Sequence, residues 1–378
     1  MSPKLLFIFP FLLLSIGVWT LSSLENSLNW SDPSSWLASR AFRQVIFSLV
    51  AILVSWVLVY WIKFQKSQKL IFWFNIITSF INILVIIIDY EIRGASRWLR
   101  FGGFSLQPSE LLKVSLILWT AFYASYFDLK KQINLVWFWS FPTLSFLTIW
   151  NPSFGQSDLG TAIVTVFPAV IIFLIQPDIN KKIKTGFVAL VTLIILFLSV
   201  NLTGYQQKRL DVLNFAFRIE NWAPSSSDDI NKICNQTTLY NTCQSISLIA
   251  NNQLIGNLES FQTNRSLFLP ERQTDFIFAS ISHYVGILGS FTVLLVYFLF
   301  FLLLSKLLQV SKNYQFYLIL GAGSSLLFQV IANISMNQGL IPVVGVPLPW
   351  LSYGGSHILG TFLLLFIITY QDKNRFTS

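Results

Sequence analysis

The chain has 378 residues, 54% hydrophobic and 16% aromatic against 11% charged, with a formal net charge of +9 and a mean hydropathy of +0.63. Soluble domains carry about 25% charged residues, so the composition excludes them and indicates an all-α polytopic membrane protein. Once the spans are assigned no soluble domain is left to bind nucleic acid, and no Gly-rich loop with a following Lys-Ser/Thr suggests a nucleotide-driven pump.

Hydropathy places about ten transmembrane helices, in chain order Leu5–Leu21, Phe42–Ile62, Leu70–Ile88, Pro108–Phe127, Leu135–Trp150, Leu159–Gln176, Ile183–Thr203, Thr274–Leu304, Tyr314–Met336 and Ser352–Tyr370. Most approach the roughly twenty residues that cross a bilayer. Lys4 ahead of the first run resembles a signal peptide, but no small-residue cleavage site follows cleanly, so the run is read as a span. Residues 1–378 are taken as a single integral membrane domain, and the 13 Trp suit interfacial belts.

The connecting segments alternate in charge. One set holds Lys4, Lys63, Lys66, Lys69, Lys130, Lys131, Lys181, Lys182, Lys184, Lys306, Lys312, Lys373 and Arg375, against only Asp128, Asp178 and Asp372. Basic loops stay in the cytoplasm, which puts both termini there and makes the positive charge a matter of orientation and contact with anionic lipids. The outer side then receives Ser22–Ala41, Asp89–Gln107, Asn151–Asp158, one long loop at 204–273 between the seventh and eighth spans, and Asn337–Leu351. That last segment mixes Gly and Pro with bulky apolar residues, a composition that suits a re-entrant or interfacial loop lining a cavity. Both cysteines, Cys234 and Cys243, lie in the long loop, where an outer compartment permits a disulfide.

Several polar residues sit where these loops meet the spans. Arg97-Trp98 stands at a membrane mouth, either as ordinary loop solvation or as a phosphate clamp beside a sugar-stacking ring. Pro108 suits the first turn of the fourth span. Glu110 and Lys113, three apart, share one helix face, as a structural pair snorkelling outward or as the polar wall of a substrate groove. Asp158 opens the sixth span, where it caps free N–H groups or serves as a second carboxylate and divalent-cation ligand. Asp275 follows Pro270-Glu271-Arg272 and Thr274 at the end of the long loop. It either caps the eighth span or, as a charge at the mouth of a membrane helix, carries function. His283 lies about 12 Å deeper along that helix and reads as an interior residue. No serine or cysteine nucleophile has a base nearby, and no Cys/His metal spacing occurs.

Taken in order, four pieces of the chain, GASRWLRFGGFSLQPSELLK, GQSDLGTA, LPERQTDFIF and GVPLPWLSYGGS, resemble the SEDS family of bacterial cell-wall membrane proteins, the group of RodA, FtsW and SpoVE. They run from residue 94 to residue 356, and the ten-span pattern is similar along the whole chain. The stretch Gly345-Val-Pro-Leu-Pro-Trp350 looks closer to the RodA branch.

The resemblance implies a peptidoglycan glycosyltransferase of the bacterial plasma membrane. It would polymerise lipid II, the lipid-linked disaccharide-pentapeptide precursor, at the outer face, paired with a class B penicillin-binding transpeptidase. It carries the family's proposed catalytic aspartate onto Asp275 and its important tryptophan onto Trp98, with Glu110, Lys113 and Asp158 at recurrent polar positions. An α-linked diphosphate donor and a β product require a single inverting displacement. Asp275 is then the expected base, with Arg97 and Arg209 as cations for the diphosphate and Glu271 a further substrate contact. A divalent cation, Mg or Mn, is the one cofactor that chemistry invites; no organic cofactor is expected. A lipid II flippase and a non-catalytic scaffold of the transpeptidase are the alternatives. The chain departs from the family at Ser282-His283-Tyr284-Val285-Gly286, where Gly-Glu-Glu-x-Gly is common, at Gln273 in place of His, and at Leu248–Gly256, stripped of most glycines. Those changes bear on loop mobility, rate and partner contact.

Overall fold

The structure is a computed structural model and describes residues 3–25, 37, 39–63, 67–88, 97–101, 104–150, 156, 158–189, 240–250, 254–256, 269–311 and 313–370. Its helices are α1 (Ile8–Glu25, entered by a 3-10 turn at Pro3–Phe7), α2 (Arg40–Trp56, continued as π-helix Val57–Ile62), α3 (Gln68–Ile88), α4 (Pro108–Tyr126), α5 (Gln132–Trp150), α6 (Leu159–Ile175) and α7 (181–189). There follow α8 (Tyr240–Ala250), α9 (Ile277–Val310), α10 (Asn313–Asn337) and α11 (Gly355–Thr369). Each expected span has a helix at its place, the seventh only as 181–189. Six are long and apolar enough to cross a membrane, and α6 and α11 are shorter apolar helices.

The helix surfaces are inverted relative to those of a soluble protein. On α3 the buried positions are Ile71, Asn75, Thr78, Ser79, Asn82 and Val85, while Trp73, Ile77, Phe80 and Ile87 are exposed. On α2 the buried set is Ala41, Gln44, Ser48, Ala51 and Ser55, with Leu49, Val50 and Leu53 facing out. Helix contacts inside a membrane gain nothing from burying one hydrocarbon against another, so small and polar residues turn inward and apolar ones meet lipid.

The described chain falls into two compact units. The first comprises Met1–Asp178, Leu295–Gln329 and Pro349–Ser378. Its centre is α4, which packs on α3, α5, α6 and α11 and is buried along nearly its whole length. Trp119 of α4 meets Phe141 of α5 edge-on at 4.7 Å, and its indole N–H donates to the Trp137 carbonyl at 2.9 Å. Two strands that hydropathy does not reveal, β1 (Leu99–Phe101) and β2 (Phe104–Leu106), pair antiparallel with Leu99 opposite Leu106. This hairpin delivers the chain to Pro108 at the start of α4.

The second unit comprises Ile179–Leu294 and Val330–Leu348. Leu248 of α8, Leu269, Phe276 and Ala279 form its buried apolar cluster, with Ile249 and Val343 packed against them. Cys243 on α8 is disulfide-bonded; Cys234 lies outside the described residues.

Within the first unit, α1 approaches the segment before α11 at Gly17, where an added Cβ would lie 2.6 Å from the Leu351 carbonyl oxygen. Gly17→Leu should therefore cost about 1–3 kcal/mol through overpacking, read as a lowered thermal midpoint in detergent. An unchanged midpoint would refute this close approach.

Candidate functional site

Two polar constellations stand out, one in each unit. In the first, Lys113 Nζ donates to Glu110 Oε2 at 2.7 Å and reaches Gln329 Oε1 on α10 at 3.4 Å. His357, in the first turn of α11, brings Nδ1 to 3.5 Å from the same carboxylate oxygen. The Lys113 side chain is 1% exposed and that of Glu110 9%, so the pair does not snorkel to the surface. It is an interior ion pair, and Gly360 keeps room for it, since an added Cβ there would come within 2.9 Å of Glu110 Oε2. The Gln107 amide donates to Ser356 Oγ at 3.2 Å, joining the starts of α4 and α11.

Asp158 combines the two roles that its position allows. It is the N-cap of α6, accepting from the Thr161 amide at 3.1 Å and from Thr161 Oγ1 at 2.5 Å. Its Oδ2 also meets Arg97 Nε at 3.0 Å, an ion pair whose N–H is not aligned as a hydrogen bond. Both carboxylate oxygens are thus engaged. Among the described residues no group of three or more His, Cys, Asp or Glu could hold a metal ion. Trp98, beside Arg97, is 36% exposed, enough to present one face of its ring.

In the second unit Asp275 lies in the turn 270–276, ahead of α9, which begins at Ile277 rather than at Thr274. The turn is closed by the Thr274 and Phe276 amides, which donate to the Glu271 carbonyl at 3.1 and 3.2 Å. Glu271 takes a left-handed φ of 54°, and its exposed side chain accepts from Thr274 Oγ1 at 3.2 Å. The Asp275 carbonyl receives two side-chain amides from α10, Asn333 Nδ2 at 2.8 Å and Asn337 Nδ2 at 3.0 Å. Asn337 Oδ1 then accepts the first-turn Ala279 amide at 3.1 Å. So α10 supplies this cap of α9, a role that the sequence pointed to Asp275 to fill. Ser245 of α8 donates to the Asn337 carbonyl at 2.7 Å, and Asn333 Nδ2 also reaches the Val346 carbonyl at 2.7 Å. Two side chains of α10, themselves held by Ser245 and the Val346 carbonyl, fix the main chain of one acidic residue, whose side chain is half-buried. The arrangement fixes where that carboxylate starts.

The sequence reading missed His357, Gln329, Asn333, Asn337 and Ser245. One signal was available: Asn333 and Asn337, with Gln329, recur every four residues on a membrane-spanning helix and share a face, which in a membrane protein marks an inward contact. Arg209 lies outside the described residues.

An apolar helical assembly with buried charges in α4 and a clamped acidic turn ahead of α9 is a multi-pass membrane protein with a polar interior. A profile of the FtsW/RodA/SpoVE family of cell cycle proteins matches residues 3–375, and the chain belongs to that family. It is 28% identical to the probable peptidoglycan glycosyltransferase FtsW of Buchnera aphidicola, over 87% of this chain and 79% of that one. With the stage V sporulation protein E of Bacillus subtilis it shares 29% over 100% and 98% of the two chains. Its fold matches a chain from a peptidoglycan synthase complex that coordinates polymerization and crosslinking (TM-score 0.70, 23% identity, 97% and 98% covered). It also matches the rod shape determining protein RodA of Thermus thermophilus (TM-score 0.61, 21% identity, 97% of each chain). These likenesses span the branches of the family and place the chain in it without a branch.

Removing one partner of a buried ion pair leaves an uncompensated charge, at a cost of about 3–5 kcal/mol. Lys113→Met should lower stability by that order in detergent. Glu110→Gln combined with Lys113→Met should cost less than the single change, and additive losses in the double-mutant cycle would contradict the coupling.

Proposed function

We propose that this protein is a peptidoglycan glycosyltransferase that polymerises lipid II into glycan strands, with Asp275 as general base. The observation that carries the reading is family membership over nearly the whole chain, joined to a carboxylate whose main chain is held by Asn333 and Asn337. A general base must be within about 3 Å of the proton it takes, and fixing its backbone restricts where its oxygens can reach.

In the proposed step the acceptor hydroxyl oxygen attacks the anomeric carbon of the donor sugar from the face opposite the diphosphate. The bond to the diphosphate breaks with its electron pair leaving on that group, and the hydroxyl proton passes to Asp275. Cationic side chains stabilise the departing charge; Arg97 and Arg209 are the residues we assign to it. Arg97 already shares its charge with Asp158, so only its terminal N–H groups would serve. A divalent cation would share the diphosphate charge too; among the described residues no group of three or more His, Cys, Asp or Glu is placed to hold one. Trp98 offers a sugar-stacking face. Glu110, Lys113 and Asp158 shape the polar interior, and Glu271 is taken as a substrate contact beside the base.

The charge asymmetry of the loops supports an active site on the outer face of the bacterial plasma membrane, with the polyprenyl tail left in lipid. The likeness to a chain of a synthase complex that couples polymerization to crosslinking supports a transpeptidase partner of the class B penicillin-binding type. The Gly345–Trp350 stretch favours a role in elongation.

Purified protein in detergent, given lipid II, should form glycan polymer, and Asp275→Asn should lower the rate by about 10²–10⁴, the usual contribution of a positioned base. Activity retained by that variant would sink the assignment. Without a bilayer to cross, a flippase would give no polymer even as wild type.

A further inference from the structure

The long loop returns to the membrane at an unexpected place. Inside α9, Gly286 takes φ 76° and ψ −163°, so two helical stretches meet at a kink. Such a break interrupts the i→i−4 ladder. At the break the Leu288 amide donates to a carbonyl from outside the helix, that of Leu254, at 3.4 Å. Gly256 lies against the same break: a Cβ built there would collide with the Tyr284 carbonyl and the Gly286 amide nitrogen. The backbone of Leu254–Gly256 is therefore laid against the backbone opened by the kink.

The side chains of this segment point the other way. Leu254 is 62% exposed and Ile255 73%. The face of α9 just beyond the kink is also exposed and apolar, through Ile287, Leu288, Phe291 and Leu294, and α9 is long and apolar enough to span a membrane. Ile287, Phe291 and Leu294 recur at helical spacing, so they form one exposed apolar stripe on a helix long and apolar enough to span a membrane. Leu254 and Ile255 continue that stripe from the loop side, through the Leu254–Leu288 hydrogen bond.

We propose that Leu254–Gly256 is a membrane-embedded plug. The Leu254 carbonyl serves a helix amide at the break, and Leu254 and Ile255 insert among lipid acyl chains, fastening the long loop to the bilayer. The physical requirement comes from the kink: broken backbone at membrane depth persists only where protein covers it, and the cover must itself be apolar outside. The occupant of this surface is lipid, because the surface is continuous with a helix face that already meets lipid.

Cys243 is disulfide-bonded, so Ile255→Cys can carry a nitroxide added without reductant. Protein in phosphatidylcholine–phosphatidylglycerol liposomes is then examined by power saturation against oxygen, which concentrates in acyl chains, and against a water-soluble nickel chelate. The oxygen-to-nickel ratio should be several-fold above that of the same label at exposed Lys181→Cys and similar to that at Phe291→Cys. Nickel access equal to that at Lys181→Cys would overturn the proposal. Shielding from both relaxants would also overturn it, showing a protein cover instead. Leu254→Cys gives a second reading should the first variant fold poorly. Gly256→Val on the Ile255→Cys background should push the segment off the kink and move the ratio toward the aqueous value; an unchanged ratio would show that the kink does not hold it.

Discussion

Inside a bilayer every polar group must find its partner within the protein, and the described architecture follows from that constraint. The polar residues that line the helix contacts are not scattered. Asn75 of α3 donates to the Ser115 carbonyl of α4 at 3.0 Å, and Thr78 meets Ser115 Oγ at 2.9 Å. Gln44 of α2 donates to the Ser352 carbonyl at 2.9 Å and accepts the Gly354 amide at 3.2 Å, serving the irregular chain before α11. Gln176 donates to the Ala124 carbonyl at 3.1 Å and accepts from the Tyr317 hydroxyl. Each such bond is worth only about 0.6 kcal/mol on average in a membrane. Their contribution is less to total stability than to register: sliding α3 along α4 by one residue would strand Asn75 and Thr78 together.

The same constraint governs the charges. A carboxylate and an ammonium side by side in α4 survive burial only because they neutralise each other, and replacing such a pair by apolar residues is often neutral or stabilising. Stability therefore does not explain why Glu110 and Lys113 stand at the centre of the most buried helix. Charged residues in membrane spans commonly mark substrate or ion pathways, and the convergence of Gln329 and His357 on this pair gives it a directed polar surface. His357 Nδ1 stands 3.5 Å from Glu110 Oε2, and among the described residues its Nε2 has no hydrogen-bond partner, so the cluster retains hydrogen-bonding capacity beside a charged oxygen.

What the sequence made legible was local. The apolar runs, the i,i+3 relation of Glu110 and Lys113, Pro108 opening a helix and Asp158 capping one all depend on spacing along a single element; the described residues have the last three and a helix at the place of each run, the seventh only as 181–189. Contacts between distant segments were illegible: Arg97 with Asp158, His357 with Glu110, and Asn333 and Asn337 with the carbonyl of Asp275. Helical periodicity states which face a residue shares but not which helix that face will meet. The hairpin at 99–106 was missed for a related reason. Its residues alternate too briefly to be told from a loop, and only pairing reveals them as strands.

The departures from the family pattern can be read in the same physical terms. The segment Leu248–Gly256 has lost most of the glycines that resemblance would lead one to expect, and the motif after Asp275 has changed to Ser282-His283-Tyr284-Val285-Gly286. Neither change touches the clamp on Asp275, which is built from Asn333, Asn337 and Ser245. Both changes end on a glycine, and those two glycines face each other: Gly256 leaves no space for a Cβ beside Tyr284 and Gly286, and Gly286 carries the positive φ of the kink. Loop glycines whose only property is mobility can be replaced at small cost. Glycines required by a close backbone approach or by a left-handed conformation cannot be. Gly256 and Gly286 are of that second kind, held to their residue type by the backbone contact at the kink.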